Sequence, residues 1–545
     1  MTTTALPAAS VPPPAPRPTV RSRLVPPMPR PAWAGWLGAV LVAAFAGVLR
    51  FIRLGEPHGI YFDETYYAKN AFSLWRYGYE HETAENADEM LARGEDAIFT
   101  GGADFVVHPP LAKWLIALGD RAWSLLPGMD AMTPAGWRVA AAVFGTLSVL
   151  LLVRIALRMT RSWLLGCSAG LIMALDGLHF TLSRIAMVDV FLTFFILAGF
   201  GCLVIDRDRT RARLADLTDQ GAAAVGWLGM RWWRIGAGLF LGMAVGTKWS
   251  ALFFLAAFGL LTVAWDYGAR RSAGQRGAGL RWLGYDAVPA FVQTVVVAAG
   301  VYLATWTGWL ATQGGYGRQW GAQATEGALS RLPDWLLGPV NALVSLAHYH
   351  VQMLDFHSGL SKPHDYASKP WEWLIMRTPV AFFYDGEQTT CGAARCSSTV
   401  LSIGTPAVWW LSILALLVMF GWWVTYRDWR AGAVLLGVAA GWLPWFAYPD
   451  RTMFVFYALP MLPFLALAIV LALGLAMGPG ETSPGYAPWA RVAGGVLYGV
   501  VMLLVIANFA YLYPILSAEV IPYEDWAGRM WFRTWIYGNA DPGGS

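Results

Sequence analysis

The feature that most constrains this chain is a series of long apolar segments, which recur from residue 33 almost to the C-terminus. A bilayer core of about 30 Å needs about 20 apolar residues per helix. About eleven segments meet or approach this length: 33–53, 135–157, 163–179, 185–205, 235–248, 250–266, 286–307, 405–425, 431–447, 453–475 and 491–513. Only 14% of the residues are charged, against about 25% in soluble domains. The sequence therefore predicts an all-α polytopic membrane protein.

The positions of the arginines predict the orientation of the chain. Cytoplasmic linkers carry an excess of Lys and Arg. With a cytoplasmic N-terminus, the linkers that fall inside contain Arg154, Arg158, Arg161, Arg207, Arg209, Arg211, Arg213, Arg231, Arg234, Arg270, Arg271, Arg276, Arg281, Arg427 and Arg430. The two longest linkers, about 54–134 and 308–404, then lie outside. We therefore expect a disordered cytoplasmic tail at 1–32, a membrane domain at 33–513 and an extracytoplasmic tail at 514–545.

The spacing of the four cysteines and of the glycines argues against a zinc site and a nucleotide-binding site. Cys167 and Cys202 lie in apolar segments, whereas Cys391 and Cys396 lie in a polar loop, either as a disulfide or as two free thiols. Their spacing is not that of a zinc site. No nucleotide-binding glycine motif is present, so we expect an activated substrate to come from the lipid.

Two adjacent carboxylates, Asp63 and Glu64, directly follow the first apolar segment in the run Tyr61–Tyr67. Carboxylates beside a membrane are costly unless they are solvated, paired or used. Adjacent residues on a helix point about 100° apart, so the two should not share one role. One is expected to face a substrate cavity while the other orients a cation or an amide. The alternative is that Asp63 only caps the helix that follows.

Four cations lie near the predicted outer ends of helices, against the positive-inside bias: Arg138, Arg184, Lys248 and Arg451. Such cations mark a substrate path or a buried ion pair. Asp189 is a plausible partner for Arg184, and Asp450 for Arg451. Arg138 and Lys248 have no acid within a helical turn, so they are the better candidates for binding a lipid phosphate.

Histidines define a second candidate region. His108 precedes two prolines and either makes a structural hydrogen bond or faces a substrate. The second outer loop contains His348, His350, Asp355, His357, His364 and Asp365. Because residues at i and i+2 face apart on a helix and no carboxylate triad completes a site, an acceptor or sugar groove is favoured over a metal site.

Several motifs follow one another in a recognisable order. They are Phe62–Tyr67, His108–Lys113, Trp137–Gly145, Ser183–Asp189, Gly246–Ser250, His364–Trp373 and Phe456–Pro460. In this order they resemble the protein O-mannosyltransferase family, over essentially all of residues 55–464. No segment between 308 and 401 is long enough for the β-trefoil insert of the eukaryotic members, so the chain resembles a bacterial member, in the plasma membrane.

The resemblance implies a GT-C glycosyltransferase fold with about eleven transmembrane helices and two large extracytoplasmic loops. It implies transfer of mannose from a polyprenyl-phosphate-mannose donor to Ser or Thr of secreted or membrane proteins, including proteins in translocation. It assigns the catalytic base to Asp63 and an orienting role to Glu64. We assign the donor phosphate to Arg138, Lys248 and Arg184, and the substrate groove to His108, Tyr66, His364 and Trp371.

The implied chemistry requires no metal or other cofactor. A phosphate leaving group needs cations rather than a general acid, so one carboxylate base suffices, and attack opposite the phosphate inverts the sugar. The expected partners are the lipid-linked sugar, the acceptor polypeptide and membrane lipids, with no nucleic acid. The alternatives are another lipid-linked sugar transferase, with a different sugar or a lipid acceptor, and a transporter, although no repeated halves are visible.

Overall fold

The structure is a computed structural model that describes residues 20–222, 224–275, 282–325, 332–478 and 487–539. In these ranges, nine helices are long and apolar enough to cross a membrane: Ala32–Phe51, Pro134–Thr160, Asp189–Asp219, Ala251–Ser272, Leu283–Thr305, Pro406–Tyr426, Trp429–Ala447, Val455–Met477 and Pro488–Leu516. Two shorter apolar helices are Trp163–Ala174 and Trp232–Val245. Each predicted segment overlaps one of these helices, which confirms a multi-pass membrane fold. The count of eleven spans stays a prediction.

The largest difference in length concerns the predicted segment 185–205, which is the helix Asp189–Asp219. On hydropathy alone, the predicted segment ends where charged residues begin. In the structure these charges are paired across helices, because Arg231 binds Asp206 and the Arg161 guanidinium lies 2.8 Å from Asp208. Paired charges allow the helix to continue past its apolar part.

Two helices form the centre of the bundle. The apolar part of Asp189–Asp219 is 89% buried and that of Val455–Met477 is 83% buried. Small residues allow close packing between other helices of the bundle, as expected in a membrane. A Cβ atom at Gly238 would lie 2.5 Å from the carbonyl oxygen of Gln293, and one at Gly242 would lie 2.6 Å from that of Ala298. These contacts bring helix Trp232–Val245 against Leu283–Thr305.

The first long linker contains three helices and a small sheet. The helices are Glu64–Tyr77, Ala87–Ala92 and Leu111–Ser124, and strand β1 (His81–Thr83) pairs antiparallel with β2 (Phe99–Ala103). The last of these helices, Leu111–Ser124, is amphipathic. Its Lys113 is buried and pairs with Glu80 at the end of the sheet, which attaches the helix to the rest of the linker.

The second long linker and the C-terminal segment fold together. Helices Thr307–Ala311, Trp320–Ala324, Asp334–Gly359 and Pro370–Trp373 precede strands β3 (Val380–Asp385) and β4 (Cys396–Ser402). Strand β5 (Ile521–Pro522) pairs with β4 and leads into helices Tyr523–Arg529 and Thr534–Tyr537. Cys391 and Cys396 form a disulfide at the loop end of the β3–β4 hairpin.

Three features add detail to the expected architecture. Over its described residues, the C-terminal tail is folded onto the second linker, because β5 completes the sheet edge of β4. The all-α prediction holds for the membrane helices, whereas the linkers contain two small sheets. In the N-terminal tail, residues 20–24 form a helix whose Leu24 packs on Leu214 and Ala269. Residues 1–19, Arg276 and Arg281 lie outside the described residues.

Candidate active site

Glu64 is the first residue of helix Glu64–Tyr77, and its side chain is completely buried. Its carboxylate accepts hydrogen bonds from Nε and Nη2 of Arg138, both at 2.8 Å, and from the Trp137 indole at 3.2 Å. It also accepts the amide of Ala186 at 2.9 Å. Glu64 therefore joins the first linker to helix Pro134–Thr160 and to the segment that precedes helix Asp189–Asp219. Its orienting role stays a prediction.

Arg138 is fully engaged by this arrangement. Besides Glu64, it donates to the carbonyl oxygens of Leu54 at 3.4 Å, Pro57 at 2.9 Å and Gly59 at 3.0 Å. A guanidinium has five N–H donors, and these contacts use all of them. No acid lies within a helical turn of Arg138, as the sequence shows, but its partner Glu64 is 74 residues away in the sequence. Arg138 thus has no donor left for a lipid phosphate.

Arg184 also binds protein atoms. Its guanidinium donates to the carbonyls of Arg50 at 2.9 Å, Ile52 at 2.5 Å and Arg53 at 2.9 Å. These carbonyls end the first membrane helix, where a cation is favoured by the helix dipole. The predicted pairing of Arg184 with Asp189 is wrong. Arg184 fixes the point at which the chain leaves the membrane toward Asp63.

Asp63 occupies the N-cap position of helix Glu64–Tyr77, but its carboxylate makes no capping hydrogen bond. Among the described residues it has no hydrogen bond and no ion pair. Phe62 just before it has φ of 54°, a left-handed conformation that costs about 1–2 kcal/mol, and its ring packs 4.7 Å from that of Phe382. The capping alternative is therefore not the observed geometry.

Burial raises the pKa of Asp63 to about 6, with Lys248 acting to lower it and Asp189 to raise it. Lys248 lies in the turn before helix Ala251–Ser272, and its Nζ is 2.9 Å from Oδ1 of Asp189. No acid lies within a helical turn of Lys248, and this partner is 59 residues away in the sequence. Oδ2 of Asp189 is buried without a partner among the described residues. Lys248 also lies 4.3 Å from the ring centroid of Tyr457.

A cleft of about 250 Å³ opens beside Lys248, and Arg451, His108, His357 and Tyr457 line it as well. The Arg451 guanidinium donates to the carbonyl oxygen of His357 and lies 3.3 Å from its Nδ1. Nε2 of His357 is 2.8 Å from the carbonyl oxygen of Val107. This fixes the neutral tautomer, with Nε2–H as donor and Nδ1 as acceptor.

The two histidines of the cleft add no positive charge to it. Burial lowers the pKa of His357 to about 4 and that of His108 well below its usual range, so both imidazoles are neutral at pH 7. The cations are Lys248 and Arg451, and Nε of Arg451 is buried without a partner in the described part of the chain. Two cations beside neutral rings suit an anionic group with an attached apolar chain.

Comparison with known proteins agrees with this architecture. Residues 99–271 match the family described as dolichyl-phosphate-mannose-protein mannosyltransferase, and residues 343–535 match the C-terminal four TMM region of protein-O-mannosyltransferase. A polyprenol-phosphate-mannose–protein mannosyltransferase of Mycobacterium tuberculosis is 37% identical over 520 residues, 92% of each chain. The chain belongs to the protein O-mannosyltransferase family.

A second relative supports membership of this glycosyltransferase family, and a solved structure supports the fold. The protein of the same name from Corynebacterium glutamicum is 32% identical over 511 residues, 91% of this chain and 92% of the relative. The S. cerevisiae protein O-mannosyltransferase Pmt1–Pmt2 complex, solved bound to the sugar donor, matches with a TM-score of 0.66, covering 93% of each chain at 15% identity. The chain is therefore an enzyme with the predicted GT-C fold.

The remaining residues predicted for the groove of this mannosyltransferase lie apart from the cleft. His108 lines the cleft, whereas Tyr66 is exposed and lies elsewhere on the surface. The Trp371 ring packs 6.2 Å from that of Phe446. Nδ1 of His364 accepts the amide of Tyr366 at 3.1 Å. A role of these three in acceptor binding stays a prediction.

The histidines of the second linker are dispersed. His348 stacks on Trp320 at 3.8 Å, and Nε2 of His350 lies 2.5 Å from the Tyr302 hydroxyl, while His357 lies in the cleft. Over the residues that the structure describes, no three His, Cys, Asp or Glu side chains are grouped to hold a metal ion. Metal independence of the transferase stays a prediction.

Arg451 and His357 are not among the site residues predicted from the sequence. Asp450, adjacent in the chain, is the partner that the sequence predicts for Arg451, whereas the structure pairs Arg451 with His357. A usable signal was present, because Lys248 and Arg451 both lie in very short outer linkers. A cation in such a linker is held at the membrane face, where the headgroup of a lipid substrate lies.

Proposed function

We propose that this glycosyltransferase transfers mannose from polyprenol-phosphate-mannose to Ser or Thr hydroxyls of polypeptides, with inversion at the sugar. The names of relatives that match 92% of this chain support the donor and the class of acceptor. The observation that carries the proposal is the unpartnered carboxylate of Asp63. It lies beside Lys248, and Lys248 lines the cleft together with Arg451. A transporter is disfavoured because the chain belongs to an enzyme family.

Asp63 is proposed as the general base. With a pKa of about 6, it is about 90% ionised at pH 7 and is a stronger proton acceptor than an ordinary Asp. An acceptor hydroxyl that donates a hydrogen bond to this carboxylate loses its proton as its oxygen attacks the anomeric carbon. The bond from that carbon to the phosphate oxygen breaks on the opposite side, which inverts the configuration.

Lys248 and Arg451 are proposed to bind the donor phosphate as its negative charge grows. Both line the cleft and keep N–H groups without a protein acceptor among the described residues, whereas all five N–H donors of Arg138 bind protein oxygens. The pairing of Lys248 with Asp189 supports this role, because it fixes the ammonium position before the donor arrives. Preorganised charges of this kind stabilise a leaving group without reorganisation during the reaction.

Glu64, Arg138 and Arg184 are proposed as positioning residues. Together they attach residues 49–59 and the start of helix Glu64–Tyr77 to the membrane helices. This attachment holds Asp63 near Lys248 although its own carboxylate has no partner. Loss of any one of the three is therefore expected to act through the position of Asp63.

We further propose that the site faces the extracytoplasmic side of a bacterial plasma membrane, with the N-terminus in the cytoplasm. The linkers that contain Asp63, Lys248 and Arg451 alternate along the chain with the Arg-rich linkers, and this alternation supports the assignment. Acceptors on that side include polypeptides that emerge during translocation. Metal independence is part of the proposal, since Lys248 and Arg451 supply the charge.

The proposal is tested with the full-length protein purified into nanodiscs. Polyprenol-phosphate-mannose labelled in the sugar is incubated with a Ser/Thr peptide, with the matching glucose donor and with a lipid acceptor in parallel. Labelled peptide from the mannose donor alone, absent with Asp63→Asn, is the expected result. Transfer to the lipid acceptor, or preference for glucose, would instead identify another lipid-linked sugar transferase.

A further inference from the structure

A second cleft lies outside the membrane helices, between the β3–β4 hairpin and the C-terminal segment. Its volume is about 290 Å³, and its wall includes Tyr366, Tyr384, Arg395, Tyr523, Trp526 and Tyr537. None of these residues takes part in the proposed transfer reaction. The size is close to the lower end for sites that bind small molecules, about 300 Å³.

The wall of this aromatic cleft is held by contacts between both segments. The Trp526 indole donates to Oγ1 of Thr399 at 2.7 Å, and the amide of Tyr523 donates to the carbonyl oxygen of Arg395 at 2.9 Å. On the opposite side, the amide of Asn539 donates to the carbonyl oxygen of Asp365 at 2.6 Å. The rings are therefore preorganised, which lowers the entropy cost of binding.

The polar groups of the aromatic cleft are available to a ligand. Among the described residues, the hydroxyls of Tyr366, Tyr523 and Tyr537 have no hydrogen-bond partner. The Arg395 guanidinium lies 3.9 Å over the Tyr523 ring and makes no hydrogen bond within the described residues. Ring faces combined with phenol hydroxyls and a guanidinium match a hexose, which has an apolar C–H face and a rim of hydroxyls. An acyl chain has no polar groups that could accept hydrogen bonds from these hydroxyls and this guanidinium.

The aromatic cleft is connected to the proposed catalytic segment through β3. Ala381 and Tyr384 of this strand line the cleft. Between them, the Phe382 ring lies 4.7 Å from that of Phe62, and the Phe383 ring lies 4.7 Å from that of Tyr61. The strand therefore separates the aromatic cleft from the two residues that immediately precede Asp63.

We propose that the aromatic cleft binds a mannose already attached to the acceptor polypeptide, and so holds a neighbouring hydroxyl within reach of Asp63. This inference rests on the proposed function, because it takes the product of one transfer as the ligand. A bound sugar of this kind favours repeated modification of one acceptor, since the second transfer starts from a tethered polypeptide.

The test measures binding without donor, so that it does not depend on turnover. The probes are a Ser/Thr peptide that carries one O-linked mannose and the same peptide without the sugar. The full-length protein in nanodiscs is expected to bind the mannosylated peptide about tenfold more tightly, as one or two added hydrogen bonds supply. Tyr523→Phe should reduce the difference, and Arg395→Ala or Tyr523→Ala should abolish it. Glu524→Ala, an exposed change on the same helix, is the matched control.

Equal affinity of the wild-type protein for the two peptides would overturn the inference. It would also be overturned if Arg395→Ala weakened both peptides to the same extent, because the cleft would then bind polypeptide rather than sugar. Transfer from polyprenol-phosphate-mannose is assayed separately. A protein that binds the mannosylated peptide selectively but transfers no mannose would contradict the proposed function and leave the sugar site standing.

Discussion

Replacing Asp63 by Asn removes a proton acceptor while preserving the size of the side chain. The Asp63 carboxylate makes no capping hydrogen bond, and it has no ion pair among the described residues. Asn is also accepted at an N-cap as well as Asp is. We therefore expect the free energy of unfolding to change by no more than about 0.5 kcal/mol.

The expected loss of activity is much larger than the loss of stability. A positioned general base contributes about 10²–10⁴-fold to a rate, which corresponds to about 3–5.5 kcal/mol of the activation barrier. Burial raises the pKa of Asp63 to about 6, so the wild-type base is both ionised and strong at pH 7. Asp63→Asn should therefore lower turnover by about 10²–10⁴-fold, with donor affinity nearly unchanged.

Glu64→Gln provides the internal comparison, since the two carboxylates are adjacent. Glu64 is buried and pairs with Arg138 through two hydrogen bonds of 2.8 Å. Removing one partner of a buried pair costs about 3–5 kcal/mol. Glu64→Gln should thus lower the melting temperature, whereas Asp63→Asn should not.

The assay combines mannose transfer to peptide, donor binding and thermal melting of the purified variants. Near-normal transfer by Asp63→Asn would refute the assignment of the base. A large fall in the melting temperature of Asp63→Asn would show that the carboxylate has a structural contact, and would refute the reasoning from its lack of partners.

Four further outcomes are expected. Lys248→Met and Arg451→Met should each lower kcat/KM for the donor about 10- to 150-fold, because a charge-assisted contact contributes about 1.5–3 kcal/mol; unchanged donor titrations would contradict this. Wild-type kcat/KM should fall below pH 6 and approach a tenfold loss per pH unit, as Asp63 becomes protonated; a flat profile from pH 7 to 5 would exclude Asp63. Reporters fused at Arg211 and Gly538 should lie in opposite compartments, and a shared compartment would require an even number of spans. Transfer should survive EDTA, and a loss restored by Mg²⁺ or Mn²⁺ would establish a metal requirement.

Much of the membrane fold was predictable, because apolar length and composition are local properties of the sequence. The segments expected at 33–53 and 405–425 are the helices Ala32–Phe51 and Pro406–Tyr426. The β3–β4 hairpin was not predicted. Strand β4, Cys396–Ser402, is a short polar run, and its pairing with β3 and β5 depends on residues far along the chain.

The sequence by itself determined that Asp63 and Glu64 point in different directions, since adjacent residues on a helix face apart. Only the tertiary structure decided which cation serves which acid. A helix brings residues three or four positions apart into contact, whereas Arg138 is 74 residues from Glu64 and Lys248 is 59 residues from Asp189. Neither Arg138 nor Lys248 therefore has an acidic partner within one helical turn of the sequence. The packing of separate membrane helices bound Arg138 to Glu64 and left Lys248 at the cleft.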